Sequence, residues 1–385
     1  MKDFLFKMPT KIVFGVNKAL KIGDIIKDLG MKKVFIVTDK FLKSTECVEN
    51  LVNSLISQGF EVTVFTDIVP EPPIEVVNKA ADILKESDSD VVIAVGGGST
   101  IDICKAMCML KNNEGSIKEY LFGGTREVAK ESLPLIAVPT TAGSGSEVTA
   151  ASVISDKENN IKLSVTDEKI IPKMAIVDPI MHMGMPPLIT ASTGMDALTH
   201  AIECYVSKNA SIISDTYAEA AIKLIGANIY KATFDPNDIE GRSNMALASI
   251  LAAVAFSNGG LGAVHGISQA LGGVANIPHG IANSMLLPKV MEKNMVGNLE
   301  KFKNIAEFLG ENVEGLSLRD AAQKSVERVR VMAADLKIPA KLSEMNVTRD
   351  MFREVVKGTM DYRMLSLNPV KFTEEDVYEI LEKAM

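Results

Sequence analysis

Val91-Val92-Ile93-Ala94-Val95-Gly96-Gly97-Gly98-Ser99-Thr100-Ile101-Asp102 is the stretch on which the fold turns. A short unbroken apolar run reads as a strand buried on both faces, and Cys104 to Leu110 then continues as helix. Between them lie three glycines. Without side chains the backbone can approach a pyrophosphate closely, and a helix N-terminus adds free N–H groups and a positive dipole end. Ser99 and Asp102 match a capping pair for that helix. The glycines alone also suit a plain tight turn, because they do not spell GxGxxG.

Working outward, similar runs recur at Val34 to Val37, Val62 to Phe65 and Leu135 to Val138. From residue 10 to about 185 they alternate with helical periods, the pattern of repeated βα units around a mainly parallel sheet. At Met183-Gly184-Met185-Pro186-Pro187 the strand-like runs stop, and helical periodicity continues to Met385. The expectation is an α/β domain over residues 1–186 and an all-α domain over 187–385, with the active site in the cleft between them. A length of 385 residues also favours two cores over one.

A second loop, Pro139-Thr140-Thr141-Ala142-Gly143-Ser144-Gly145-Ser146-Glu147, follows another buried strand. Two glycine- and hydroxyl-rich loops at carboxyl ends of parallel strands are where a nucleotide is expected. Asp39 closes the first such strand. Its carboxylate suits an adenosine ribose and repels a 2′-phosphate, which favours NAD over NADP, although a capping aspartate fits there equally.

Composition narrows the class. Hydrophobic residues are 47% and charged residues 23%, and the net charge is -8 with no basic stripe, so a nucleic-acid surface is not expected. The start, Met1 to Lys7, has no apolar run of signal-peptide length, giving the expectation of a cytoplasmic protein. Cys47, Cys104, Cys108 and Cys204 form no CxxC pair and read as reduced core residues. Met245 to Val264 is apolar, but Ser257-Asn258-Gly259-Gly260 interrupts it short of a membrane span, so it reads as a buried helix.

The chain has only four histidines, three of them in the helical half. Asp196 and His200 are four apart on a helix expected to start after Ser192-Thr193-Gly194, so both project from one face. His265 follows Gly262-Ala263-Val264, and His279 lies in the break Pro278-His279-Gly280. Three imidazoles and a carboxylate form a four-ligand set for Fe(II) or Zn(II). Any one of these histidines could be a core residue; all three beside an i, i+4 aspartate point to a metal. His182 has no such companion and reads as structural.

These residues carry a resemblance to the iron-containing, group III, alcohol dehydrogenases, on the branch with the lactaldehyde and 1,3-propanediol oxidoreductases. It rests on Gly96-Gly97-Gly98-Ser99 with Asp102 and Lys105, Thr140-Thr141-Ala142-Gly143, Gly194 to Glu203, and Pro278-His279-Gly280 with Asn283, spread over nearly the full length. The resemblance implies a Rossmann-like α/β N-terminal domain, an all-α C-terminal domain and NAD(H) beside Fe(II), with Asp196, His200, His265 and His279 as metal ligands. It assigns Asp39, Gly97, Gly98, Ser99, Asp102, Thr140, Thr141, Ser144, Val153 and Lys162 to the coenzyme. It also implies a homodimer or larger homo-oligomer, and a pocket shaped by Phe256 and the neighbourhood of Ala151.

Two departures stand out. Where such enzymes often carry a second histidine near the nicotinamide, this chain has Gln269, which cannot relay a proton by ionising. Arg363, where relatives carry smaller or neutral residues, either lies on the surface or binds an anionic aldehyde through its guanidinium fork. The expected reaction is alcohol–aldehyde interconversion by hydride transfer, with a small alcohol or aldehyde as substrate. The rivals are a reductase specific for a carboxylate- or sulfonate-bearing aldehyde, a lyase-like NAD and metal enzyme of the dehydroquinate synthase type, and a non-catalytic protein that keeps the fold.

Overall fold

The computed structural model describes residues 3–385, which form two compact units. One comprises residues 8–141 and 145–185, the other residues 3–7, 142–144 and 186–385.

The first unit is built on a six-stranded sheet of β1 (Lys11–Phe14), β2 (Lys33–Val37), β3 (Glu61–Phe65), β4 (Val91–Gly96), β5 (Leu135–Pro139) and β8 (Met174–Val177). All pairings are parallel, in the order β1-β8-β5-β4-β2-β3. β2, β4, β5 and β8 are almost wholly buried apolar runs, as central strands of a parallel sheet must be. The crossovers are α1 (Ile22–Asp28), α2 (Lys40–Lys43), α3 (Glu46–Ser57), α4 (Ile74–Glu86) and α5 (Gly98–Asn112).

From β2 the chain runs outward to β3, then returns across β2 to β4 and continues to β5. Strand order thus reverses between β2 and β4. That reversal is the crevice where open α/β sheets bind ligands, and Asp39 and the glycine turn flank it. An antiparallel hairpin, β6 (Ala151–Asp156) and β7 (Ile161–Thr166), interrupts the alternation that the sequence suggested.

The second unit is helical: α6 (Pro187–Val206), α7 (Ile212–Phe234), α8 (Ile239–Gly259), α9 (Ala263–Ala275), α10 (His279–Asn294), α11 (Leu299–Phe308), α12 (Leu318–Asp335), α13 (Phe352–Met360) and α14 (Glu374–Ala384). Every residue of α6 from Gly194 to Val206 is buried, which makes it the central helix of this unit. It starts at Pro187, not after Gly194. The second proline occupies the first helical position, where a missing N–H costs nothing, so the Pro-Pro pair opens the helix as well as ending the preceding pattern.

The apolar stretch from Met245 is split between α8 and α9, which meet at 103°, and no single helix among the described residues is long and apolar enough to cross a membrane. Cys104, Cys108 and Cys204 are buried free thiols; Cys47 is a free thiol only partly buried, packed against the apolar cluster that includes Val48, Leu51 and Leu55 of α3.

Candidate metal and coenzyme sites

Asp196 and His200 stand one turn apart on α6, His265 lies in the first turn of α9, and His279 is the first residue of α10. One ligand atom from each lies within 4.8 Å of those of the others. The ring centroids of His200 and His265 are 4.6 Å apart, those of His265 and His279 are 5.2 Å apart, and His279 Nε2 is 3.7 Å from Asp196 Oδ1. Asp196, His200 and His265 are buried, and His279 is partly exposed. The last of these depends on close packing of α10 against α6: a Cβ on Gly280 would lie 2.7 Å from the Ser192 carbonyl oxygen.

Burial pulls the His200 imidazole down to about 4, against the opposing pull of Asp196, so the ring is neutral and one of its nitrogens keeps a lone pair to donate. Burial alone would raise the Asp196 carboxyl. The three imidazoles and Asn283 outweigh it and hold the group below its ordinary value. Asn283 Nδ2 lies 2.6 Å from Asp196 Oδ1, 3.2 Å from His265 Nε2 and 3.1 Å from His279 Nε2. Three of the four candidate ligand atoms therefore surround one amide nitrogen, while Asn283 Oδ1 is buried without a hydrogen-bond partner. One anionic oxygen and three neutral nitrogens fit a divalent ion of the Fe(II) or Zn(II) type.

Phe256 stacks on His200 with centroids 4.5 Å apart. Gln269, one turn beyond His265, is partly buried. Ala151 opens β6, and its carbonyl accepts from Lys105. Arg363 opens a 3-10 turn and is exposed. Glu203, at the end of the string Gly194 to Glu203, has no role assigned by the sequence, yet its Oε2 is 2.6 Å from His265 Nδ1. Its partner is distant along the chain, and no spacing rule links them.

On the sheet unit, α5 begins at Gly98 with Gly97 as its cap residue, so Ser99 lies inside the helix and no side chain caps it. The capping pair expected from Ser99 and Asp102 does not form. Ser99 Oγ instead accepts from the Glu71 N–H at 3.2 Å. Asp102 Oδ1 accepts from Ser146 Oγ at 2.5 Å and its Oδ2 from the Val153 N–H at 3.0 Å, which joins the helix to β6. Burial raises the Asp102 carboxyl, opposed by Lys105 and these two donors.

Lys105 is wholly buried and donates to Ser146 Oγ at 2.8 Å, Thr149 Oγ1 at 3.1 Å and the Ala151 carbonyl at 2.7 Å. Burial takes it down to about 8, and takes the buried Glu147 up to about 7. Lys162 Nζ, expected at the coenzyme, donates to Glu71 Oε1 at 2.6 Å. Thr140 N donates to the Gly96 carbonyl, and the Thr141 side chain lies 3.2 Å from a Cβ built on Gly97, so these residues adjoin the glycine turn. Ser144 belongs to the segment that groups with the helical unit, where neighbouring Gly143 is packed against Thr193. Asp39 caps α2, with Oδ1 accepting from the Leu42 N–H at 2.7 Å, the capping alternative left open by the sequence.

Sheet unit, helical unit and a four-donor cluster define a class. The iron-containing alcohol dehydrogenase profile matches residues 9–179 and the C-terminal profile of the Fe-containing alcohol dehydrogenase family matches residues 190–385. The chain belongs to this family, and is an oxidoreductase of the alcohol dehydrogenase type. It is 39% identical over 380 residues to the NAD-dependent methanol dehydrogenase of Bacillus methanolicus, covering 99% of each chain. It is 36% identical over 371 residues to the lactaldehyde reductase of Escherichia coli (strain K12), covering 96% of this chain and 97% of that one. Among solved structures, a 1,3-propanediol oxidoreductase superposes with a TM-score of 0.95 at 35% identity, over 100% of both chains.

Proposed function

We propose that this chain interconverts a small neutral alcohol and its aldehyde, using NAD(H) and Fe(II), as a cytoplasmic homodimer or larger homo-oligomer, with domains at 1–186 and 187–385. The observation that carries the reading is the convergence of Asp196, His200, His265 and His279 within 4.8 Å, in a chain of this family. When bound, the cation supplies Lewis acidity at the alcohol oxygen and the nicotinamide exchanges the hydride.

The chain's own residues do the rest. Asp196 supplies the single negative charge of the ligand set, and the His200 imidazole stays neutral because burial opposes its protonation. Phe256 covers the His200 ring and gives the substrate side an apolar wall. Gln269 can orient a water or hydroxyl by hydrogen bonding but cannot ionise, so no proton passes through its side chain. Gly97, Gly98 and Ser99 offer backbone N–H groups at the start of α5 for a diphosphate, Thr140, Thr141 and Ser144 add hydroxyls, Lys162 adds a positive charge, and Asp102 and Val153 tie the turn to β6. Asp39 keeps its Oδ2 for a ribose hydroxyl, which favours NAD over NADP. The exposure of Arg363 favours a neutral substrate over an anionic one.

The test is an anaerobic screen of short neutral and anionic aldehydes with NADH or NADPH, after loading with Fe(II) or Zn(II). Fe(II)- and NADH-dependent reduction of a neutral aldehyde is expected, and Arg363→Ala should leave it unchanged. Full activity in Asp196→Ala or His200→Ala with full metal content would overturn the reading.

A further inference from the structure

We infer that Glu203 is a positioning residue for the cation site: it fixes the tautomer of His265 so that Nε2 presents a lone pair to the ion, and at the same time caps α9. The inference rests on the divalent-cation reading given above.

The residue before α9, Gly262, has no side chain with which to cap the helix. Nor is there room for one, because a Cβ there would lie 2.7 Å from Asn368 Oδ1 and 3.1 Å from Glu203 Oε1. Side chains from elsewhere take the place of the cap. The Ala263 N–H donates to Asn368 Oδ1 at 3.2 Å, and the Val264 N–H donates to Glu203 Oε1 at 2.7 Å. The second oxygen of the same carboxylate, Oε2, is 2.6 Å from His265 Nδ1.

A carboxylate oxygen accepts, so the proton of the neutral imidazole sits on Nδ1 and Nε2 is left as an acceptor. That nitrogen is the one 3.2 Å from Asn283 Nδ2, on the side of Asp196. Glu203 is 4% exposed, and the N-terminal dipole of α9 offsets the cost of burying its charge. Carboxylates that orient metal-binding imidazoles in this way contribute about 10- to 100-fold to metal affinity. A helix cap alone contributes to stability and not to the choice of tautomer.

Glu203→Gln separates the two roles. Its amide oxygen can keep the Val264 N–H, but its NH2 group then faces Nδ1 and favours the Nε2–H tautomer, which places a proton where the ion should bind. With only four histidines in the chain, 15N-histidine spectra of the metal-free protein, assigned by single-site variants, read the tautomer directly. Expected are Nδ1–H at His265 in the wild type, Nε2–H in Glu203→Gln, and a loss of about 10- to 100-fold in Zn(II) affinity by chelator competition, with NADH binding unchanged. Asn368→Ala removes the other cap. It should lower the unfolding temperature and leave the His265 tautomer and Zn(II) affinity as in the wild type.

An unchanged tautomer in Glu203→Gln, Zn(II) affinity within about twofold of the wild type, or an equal loss in Asn368→Ala overturns the inference. If Glu203→Gln does not fold, the wild-type spectrum still decides: Nε2–H at His265 overturns it. Wild-type protein that binds no divalent ion refutes the cation reading itself, whereas a wild type that binds and a Gln variant that matches it refute only the role of Glu203.

Discussion

Lys162 Nζ donates to Glu71 Oε1 across 2.6 Å, while Glu71 holds a left-handed backbone at φ +51° and donates its own N–H to Ser99 Oγ. A non-glycine residue in that region is uncommon and persists only where its surroundings enforce it. Here one strained residue ties the loop after β3 to the first turn of α5 and to β7. Its carboxylate also neutralises the cation proposed for the coenzyme. Glu71→Gln should therefore strengthen NADH binding by roughly two- to fivefold, as expected for a partly buried pair of about 0.5–1 kcal/mol. Fluorescence titration measures this. Lys162→Ala should weaken binding, and unchanged binding in both variants would remove Lys162 from the coenzyme site.

Asp196→Asn keeps the shape of the ligand set and removes its only negative charge. Bound metal after dialysis against a weak chelator, measured by elemental analysis, should fall from near one equivalent to a trace, a loss of at least about 100-fold in affinity. The variant should still bind NADH. Metal retention at wild-type level would show that the ion is held elsewhere.

Gly280→Ala alters no ligand. Its Cβ would lie 2.7 Å from the Ser192 carbonyl oxygen and 3.0 Å from its carbon, so α10 must move away from backbone that cannot yield. His279, one residue earlier, moves with it. The expected result is a destabilisation of about 1–3 kcal/mol by chemical denaturation, together with a clear fall in metal affinity. A variant with wild-type metal binding would show that this contact does not set the position of His279.

Glu147 gives a dependence on pH. Its folded value is raised from 4.5 to about 7, chiefly by burial, so between these limits the folded protein holds a proton that the unfolded chain has lost. Its contribution to stability is therefore present below about 4.5 and falls as pH rises towards 7. Burial lowers Lys105 from 10.5 to about 8, where the unfolded chain holds the extra proton, so its contribution rises with pH across that higher window. Glu147→Gln should remove the first effect. Relative to wild type it should gain up to about 3 kcal/mol between pH 5 and pH 8 in denaturation midpoints, and a parallel pair of profiles would contradict the assignment.

How much of this was legible in the sequence depended on the distance over which a signal acts. Strands β2, β4 and β5 announce themselves as local apolar runs, and Asp196 and His200 as an i, i+4 pair in a chain poor in histidine. Hairpin β6–β7 does not: its turn, Lys157 to Asn160, contains no glycine or proline, with Asn160 taking the left-handed conformation at φ +54°. Asp102 looked like a local cap because Ser99 sits three residues before it. In the fold its oxygens serve Ser146 and Val153, partners supplied by tertiary packing. The partners of Glu71, Lys105 and Glu203 are illegible for the same reason. Each takes its role from residues far along the chain, to which no periodicity points.

Asp196, His200 and Glu203 share one helix at i, i+4 and i+7, which at 3.6 residues per turn keeps all three within about 60° of arc. α6 thus behaves as a ruler. A single residue inserted between Asp196 and His200 would swing everything downstream by about 100° and turn an imidazole and an acid into hydrocarbon packing. Lineages descending from this chain can exchange side chains along that span, but they cannot change its length, whereas the loops between helices remain open to insertion and loss.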